Sequence, residues 1–281
     1  MRKIEIEELK RLELDLLDFF VGVCKHNNLT YFLAGGTLLG AIRHQGFIPW
    51  DDDIDVMMPR QDYEKMKKVF PVHEYYKFMC HDNTHNYPTA FGTLNDIRTF
   101  KPETSRREKC RMLSVNIDIF PIDSLPDEEE CIHKYFRDIS NMARKLFCIT
   151  YSYGIGKTIS LTVKRNIGIF VYRCLELFGV TSIDRITEEY SALSQKYAGR
   201  DTKKCAVTCS YIYGEGEVNL KADYYPVQAG IFERKEYNIP ANYDAYLKGL
   251  YGNYMQLPPI EKQVPHHANC YWKDSILKQN T

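Results

Sequence analysis

The stretch from Phe32 to Val56 constrains the fold more than any other part of the chain. It reads as a short apolar strand, a Gly35-Gly36 turn, a helical turn or two, a loop, and a second strand opening on Asp51-Asp52-Asp53-Ile54-Asp55. Side chains two apart on a strand share a face, so Asp53 and Asp55 point together while Asp52 points away, toward solvent. At a rise of about 3.3 Å per residue their Cα atoms lie roughly 7 Å apart, within reach of one shared cation. Neighbouring carboxylates repel, so one takes a proton or a cation sits between them, and carboxylates beside phosphates are the usual home of Mg²⁺. Upstream, Gly35 and Gly36 allow backbone N–H groups close to an anion because no Cβ stands in the way, and a helix starting near Thr37 adds its positive end. A glycine pair alone is an ordinary turn, and an Asp-x-Asp alone an ordinary strand edge. Together they are far more specific.

A second acidic strand lies further on. Val115, Ile117 and Ile119 alternate with Asn116, Asp118 and Phe120, which places Asp118 on the face opposite the isoleucines. An acid inside an apolar strand is costly unless it is paired or bound to metal. Asp123, beyond Pro121, reads as a turn residue and as the second candidate for the same role.

The pairing of Gly35-Gly36 with Asp53-x-Asp55 resembles the signature of the nucleotidyltransferase superfamily. The wording Gly36-Thr-Leu-Leu-Gly-Ala-Ile-Arg-His44, then Phe47-Ile-Pro-Trp-Asp-Asp-Asp-Ile-Asp55, resembles one branch of it, the LicD family. Bacterial members of that family transfer phosphocholine from CDP-choline to sugars of surface polysaccharides, and the animal fukutin-related proteins use a CDP-polyol. The C-terminal phrase Phe232-Glu233, Tyr243-Asp-Ala-Tyr-Leu, Tyr251-Gly-Asn-Tyr-Met and Pro258-Pro259 resembles the family too.

The resemblance implies an α+β fold, a nucleotidyltransferase-like mixed sheet flanked by helices. Residues 1–126 would form the core, 127–202 a helical insertion, and 203–281 a C-terminal sheet-helix segment completing the catalytic domain. It implies Asp118 as a third carboxylate beside Asp53 and Asp55, the three holding Mg²⁺ or Mn²⁺, with Asp118 the candidate general base. Gly35, Gly36 and Thr37 would position donor phosphate oxygens, and Arg43 would stabilise developing charge. Trp50 and Asp51 would seat the metal loop, or Trp50 would stack on the base. Arg98 is a candidate phosphate contact, against a salt-bridged surface arginine. Glu233 and Tyr246 are candidate cation or substrate contacts, against plain packing of a tyrosine-rich helix. A sugar hydroxyl would attack in line and release CMP, the acceptor being teichoic acid, lipopolysaccharide or capsule. The alternatives are the same chemistry with an ethanolamine, glycerol or ribitol donor, a nucleotidyltransferase proper, or an inactive binding module.

The remaining features narrow the setting. Thirty-seven basic residues balance 37 acidic ones in 281 residues, so no global field draws nucleic acid. Nine scattered cysteines, an odd number with no leader segment before them, read as reduced thiols of a cytoplasmic protein. Cys205-x-x-x-Cys209 lacks the second close pair a zinc site needs, and His266 and His267 read as surface residues. Twenty-one tyrosines are enough to build a cage for a cationic ligand. Periodicity predicts an amphipathic helix over 5–27 with Glu8, Lys10, Glu13 and Asp18 outside the apolar stripe, and another from Pro59 to about Phe70. It predicts strands over 75–80, 87–98 and 206–213, and helices over 128–151, 158–178 and 183–198, the first capped by Asp127 with Glu130. Tyr153-Gly-Ile-Gly-Lys-Thr158 lacks the spacing and the preceding strand of a phosphate-binding P-loop. Residues 155–180 are apolar but too broken by charge to span a bilayer. They read as a core or interface helix, with a basic amphipathic helix resting on the inner membrane face as the alternative that suits a lipid-linked acceptor.

Overall fold

The computed structural model describes residues 1–103, 105–110, 114–156, 158–210, 212–264 and 269–274. His266 and His267, Lys157 of the glycine-rich turn and Tyr211 of the expected strand lie outside them. In chain order the elements are β1 (Arg2–Ile4), α1 (Ile6–His26), β2 (Phe32–Leu33), α2 (Gly35–His44), β3 (Asp55–Pro59), α3 (Arg60–Val69), β4 (Tyr76–Met79), β5 (Gly92–Asp96), β6 (Thr99–Phe100) and β7 (Val115–Ser124). Then follow α4 (Glu129–Thr150), α5 (Ile159–Leu177), α6 (Ile183–Ser194), β8 (Lys204–Val207), β9 (Asn219–Leu220), β10 (Gln228–Phe232), β11 (Lys235–Ile239), α7 (Tyr243–Tyr251) and β12 (Cys270–Trp272).

The fold is α+β, with a mixed sheet organised on β7. The order is β2-β3-β7-β5-β4, with β8 also on β7 and β9 on β8. One edge of β7 takes β3 in parallel; the other takes β5 along its first half and β8 along its second, both antiparallel. The parallel register sets Asp55 directly beside Asp118. Val56, Met57 and Met58 are buried in succession, the pattern of a strand covered on both faces. A separate three-stranded sheet, β1-β12-β6, joins the first residues to the last described strand, and β10 and β11 form a hairpin against α2 and β2.

The helices and strands predicted from periodicity are present, several of them shorter. The 87–98 strand pairs only over Gly92–Asp96, and the 206–213 strand is Lys204–Val207. Four local expectations are corrected. Glu13 is buried, because the apolar stripe of α1 includes Leu9, Leu12, Leu16 and Leu17 and position 13 falls within it. Asp127 does not cap α4, which is capped by Glu128 without a side-chain bond; its Oδ1 accepts the N–H groups of Lys203 and Lys204 and pins the returning strand. Asp123 is no turn residue: it is buried near the end of β7, where Arg60 donates to both its oxygens at 2.7 and 2.8 Å and Thr208 Oγ1 donates at 3.0 Å.

The fourth correction concerns α5, which is not a core helix. Ile169 is its one residue described as buried, while Ile159, Val163, Ile167, Phe170 and Leu177 are exposed. At 100° per residue these five fall on one stripe. The opposite side is anchored by Glu176, which pairs with Arg107 and Lys109 at 2.7 and 2.6 Å.

Candidate active site

The site starts where β2 ends. Ala34 donates its N–H to the Asp55 carbonyl at 3.0 Å, and α2 begins at once with Gly35, two residues earlier than expected. Gly35 has φ +49°, a conformation that favours glycine, and its N–H donates to the Tyr246 hydroxyl at 3.3 Å. The missing side chains make room for acids. A Cβ on Gly35 would stand 2.9 Å from Asp55 Oδ2, and one on Gly36 would stand 2.7 Å from Asp51 Oδ2. The two carboxylates therefore lie against the positive end of α2, where negative charge is favoured.

Asp55 opens β3, with its N–H donated to Thr37 Oγ1 at 2.8 Å. Asp53 precedes the strand, so the two are not partners at i and i+2 of one strand; Asp53 reaches the same cleft from an exposed loop. Asp52 does alternate away, but into the protein: it is 8% exposed, which corrects its expected solvent position. Asp118, beside Asp55, receives the Asn116 Nδ2–H on Oδ1 at 2.8 Å.

These acids lie between two cavities. The larger, of about 880 Å³, is lined by Gly35, Gly36, Arg43, Trp50, Asp51, Asp53, Asp55 and Tyr246, and also by Glu217 and three further tyrosines, Tyr213, Tyr251 and Tyr254. The smaller, of about 310 Å³, contains Asp118 and Arg106 and shares Asp53, Asp55 and Phe120 with the first. Arg43 is fixed in the wall by donating to the Tyr254 carbonyl at 2.6 Å.

Like charges and burial act together here. Burial, then the charge of Asp53, raises the Asp51 and Asp118 carboxyls to about 7. Burial, then Asp53 and Asp118, holds Asp55 well above the ordinary carboxylate range. Such a wall of hard oxygen donors fits a divalent cation, whose charge would relieve the repulsion. Among the described residues, no three His, Cys, Asp or Glu side chains are already closed around an ion position.

Three predicted contacts fall elsewhere. The Thr37 hydroxyl is engaged by Asp55 N–H, so it braces the strand, and Thr37 does not line the cleft. Arg98 lies away from the cleft, pairing with Asp96 at 2.6 Å and packing over Tyr75, Tyr76 and Trp272. Glu233 sits in the β10–β11 turn and accepts the Phe47 N–H at 3.1 Å, tying the hairpin to the loop after α2. Conversely, Glu217, Tyr213 and Arg106 were not signalled by the sequence. Glu217 lies in a Gly-Glu-Gly-Glu turn, and Arg106 in a polar connection without periodicity.

Residues 28–145 match the family described as LicD/FKTN/FKRP, nucleotidyltransferase domain. The lipopolysaccharide cholinephosphotransferase LicD of Haemophilus influenzae is 28% identical over 273 residues, covering 95% of this chain and 97% of that protein. Residues 28–145 thus carry a LicD-family nucleotidyltransferase domain. An uncharacterized protein of Rickettsia typhi is 30% identical over 132 residues, 46% of this chain and 40% of its own length. The human ribitol 5-phosphate transferase FKRP is 46% identical over 44 residues, 16% of this chain and 9% of its own. The LicD-family match contains every element that carries Asp53, Asp55 and Asp118, whereas the wall with Glu217 and the tyrosines lies beyond it.

Proposed function

We propose that this protein transfers the phosphoalcohol group of a CDP-alcohol, CDP-choline first among them, to a hydroxyl of a cell-surface glycan, releasing CMP. The observation that supports this most is the acidic wall at the start of α2, placed between two cavities, in a chain related over nearly its full length to a cholinephosphotransferase. Asp53, Asp55 and Asp118 would hold Mg²⁺ or Mn²⁺, which would neutralise charge on the transferred phosphoryl group and the departing CMP. The amide of Gly36, in the first turn of α2 and lining the cleft, would donate to a phosphate oxygen. Arg43 adds a fixed positive charge to that wall. Asp118 Oδ2 is the atom proposed to take the proton of the attacking hydroxyl, because Oδ1 is occupied by Asn116.

The test is to follow CMP with either metal across CDP-choline, CDP-ethanolamine, CDP-glycerol and CDP-ribitol. Release of the free phosphoalcohol from these donors, or of pyrophosphate from an added nucleoside triphosphate, with a nucleotide left on the acceptor, would reject the reading in favour of a nucleotidyltransferase. Metal binding has a separate signature. Asp51 and Asp118 bind protons more tightly folded than unfolded, so the metal-free protein is expected to lose stability as pH rises from the ordinary carboxylate range of about 4 toward about 7. Thermal melts at about pH 7.5 should therefore recover several degrees on adding Mg²⁺, and those at about pH 5 distinctly less.

The same proposal places the protein against the inner face of the cell membrane, acting on a lipid-linked glycan. No helix among the described residues is long and apolar enough to cross a membrane. The exposed stripe of α5 offers surface contact instead, and beside it Arg144, Lys145 and Lys164 line a groove of about 750 Å³. Replacing Ile167 and Phe170 together by Glu is expected to weaken co-sedimentation with phosphatidylglycerol-rich vesicles more than tenfold, since each apolar side chain contributes roughly 1.5–3 kcal/mol on burial. Unchanged sedimentation would remove α5 from the membrane contact.

A further inference from the structure

Glu217 ends the short turn Gly214–Glu217, is 4% exposed, and its Oε2 has no hydrogen-bond partner among the described residues. Burial lifts its carboxyl to about 8. A buried polar atom left unpartnered costs stability, so its presence in a cleft wall calls for a ligand.

The wall around it is aromatic. Tyr213 and Tyr251 meet edge to face, ring centroids 5.4 Å apart and hydroxyl oxygens 3.2 Å apart. The Tyr246 hydroxyl receives Gly35 N–H, and Tyr254 donates to Asp244 at 3.0 Å. Tyr213 and Tyr254 spend their O–H protons within the protein, while the Tyr246 and Tyr251 oxygens each accept a protein donor, so much of what the four phenols offer a ligand is ring surface. The corner is held by backbone. A Cβ on Gly216 would stand 2.5 Å from the Gly249 carbonyl oxygen, and one on Gly249 would stand 2.3 Å from that of Gly216. The turn carrying Glu217 thus rests directly on α7, which carries Tyr246 and Tyr251. Glu217 adds to the upward push on the Asp55 carboxyl, so the corner adjoins the acidic wall.

We propose that this corner binds an organic cation, the ammonium end of the alcohol carried by the donor, with Glu217 as counter-charge and Tyr213 and Tyr251 as aromatic faces. The inference rests on the CDP-alcohol reading above and selects among its donors. A quaternary ammonium has no N–H to satisfy and is held by ring faces and a carboxylate. A polyol carries no charge for Glu217 to balance and gains little from ring faces.

The deciding experiment uses the full chain and compares CDP-choline with its uncharged isostere, CDP-3,3-dimethylbutanol, by CMP release. Alongside it, tetramethylammonium is titrated calorimetrically without donor. CDP-choline is expected to lead in kcat/KM by about tenfold or more, the size of a desolvated cation–π contact with a counter-charge. That ratio should fall toward one in Glu217→Gln and in Tyr251→Leu, chiefly through KM, and persist in Tyr251→Phe. Should Glu217→Gln fail to fold, the Tyr251 pair and the titration decide. Equal use of the two donors by the unaltered protein overturns the proposal. So does a loss in Glu217→Gln that is the same for both donors, which would make Glu217 a metal or acceptor contact. Tetramethylammonium binding without CMP from any donor would keep the cation corner and remove phosphotransfer. CMP release that favours CDP-ribitol or CDP-glycerol would do the reverse, and neither binding nor release would remove both.

Discussion

Asp55→Asn is expected to lower CMP release by roughly 10²–10³-fold or more, the scale of losing one preorganised charge contact at a reacting phosphorus, while raising the melting temperature. The two effects share a cause. Asp55 is held well above the ordinary carboxylate range by burial and by Asp53 and Asp118, so its negative charge opposes folding in the metal-free protein. Asn keeps the shape and the backbone N–H that Thr37 accepts, so the bracing of β3 survives. Removing a ligand and a repulsion together is the usual exchange of stability for function at a charged site. CMP assays and melts on the same preparation check both halves. Full turnover in the variant would end the proposed chemistry, and a drop in melting temperature would mean that Asp55 is a structural residue.

The second large effect concerns stability alone. Arg60→Ala or Asp123→Ala is expected to cost about 3–5 kcal/mol, because the first leaves Asp123 buried without its cation and the second leaves Arg60 with only the half-buried Glu64 at 3.2 Å. For a chain of this size that lowers the melting temperature by roughly 10 °C. Asp123 is 1% exposed and receives two Arg60 bonds and one from Thr208, so removal of its carboxylate strands three donors. The double replacement Arg60→Met with Asp123→Leu should recover most of the loss, since an apolar pair carries no desolvation cost. Neither residue lines the two cavities at the acidic wall, so kcat of the folded fraction should stay near that of the unaltered protein. A double-mutant cycle with additive losses would show that the pair is not coupled.

Much of this was legible in the residues because local pattern and global role agree. The apolar first half of β7 with one acid in it, Asp118, and the glycine pair at a strand end each have one economical folded reading, and both lie in the cleft region. Sequence reasoning failed where a polar residue is used locally instead. Arg98 is taken by Asp96, Glu233 by the Phe47 amide, and Thr37 by the Asp55 amide, partners that no periodicity announces. It failed in the opposite sense at Asp52 and Glu13, because alternation tells which residues share a face but not whether the other face is water. Glu217 was hidden for a third reason: a turn composition normally marks the surface, and the packing of α7, α4 and β8 around the turn buries it.

The cleft has one wall from residues 34–55 and the other from residues 212–259, with four α-helices, α3 to α6, between them in sequence. On a ribosome the acidic wall is therefore made long before the aromatic one, and a growing chain carries its phosphate-facing half open to solvent until the last third has emerged. Under the proposed phosphotransfer, competence arrives late in synthesis, which would shield nucleotide-activated alcohols from turnover by unfinished chains.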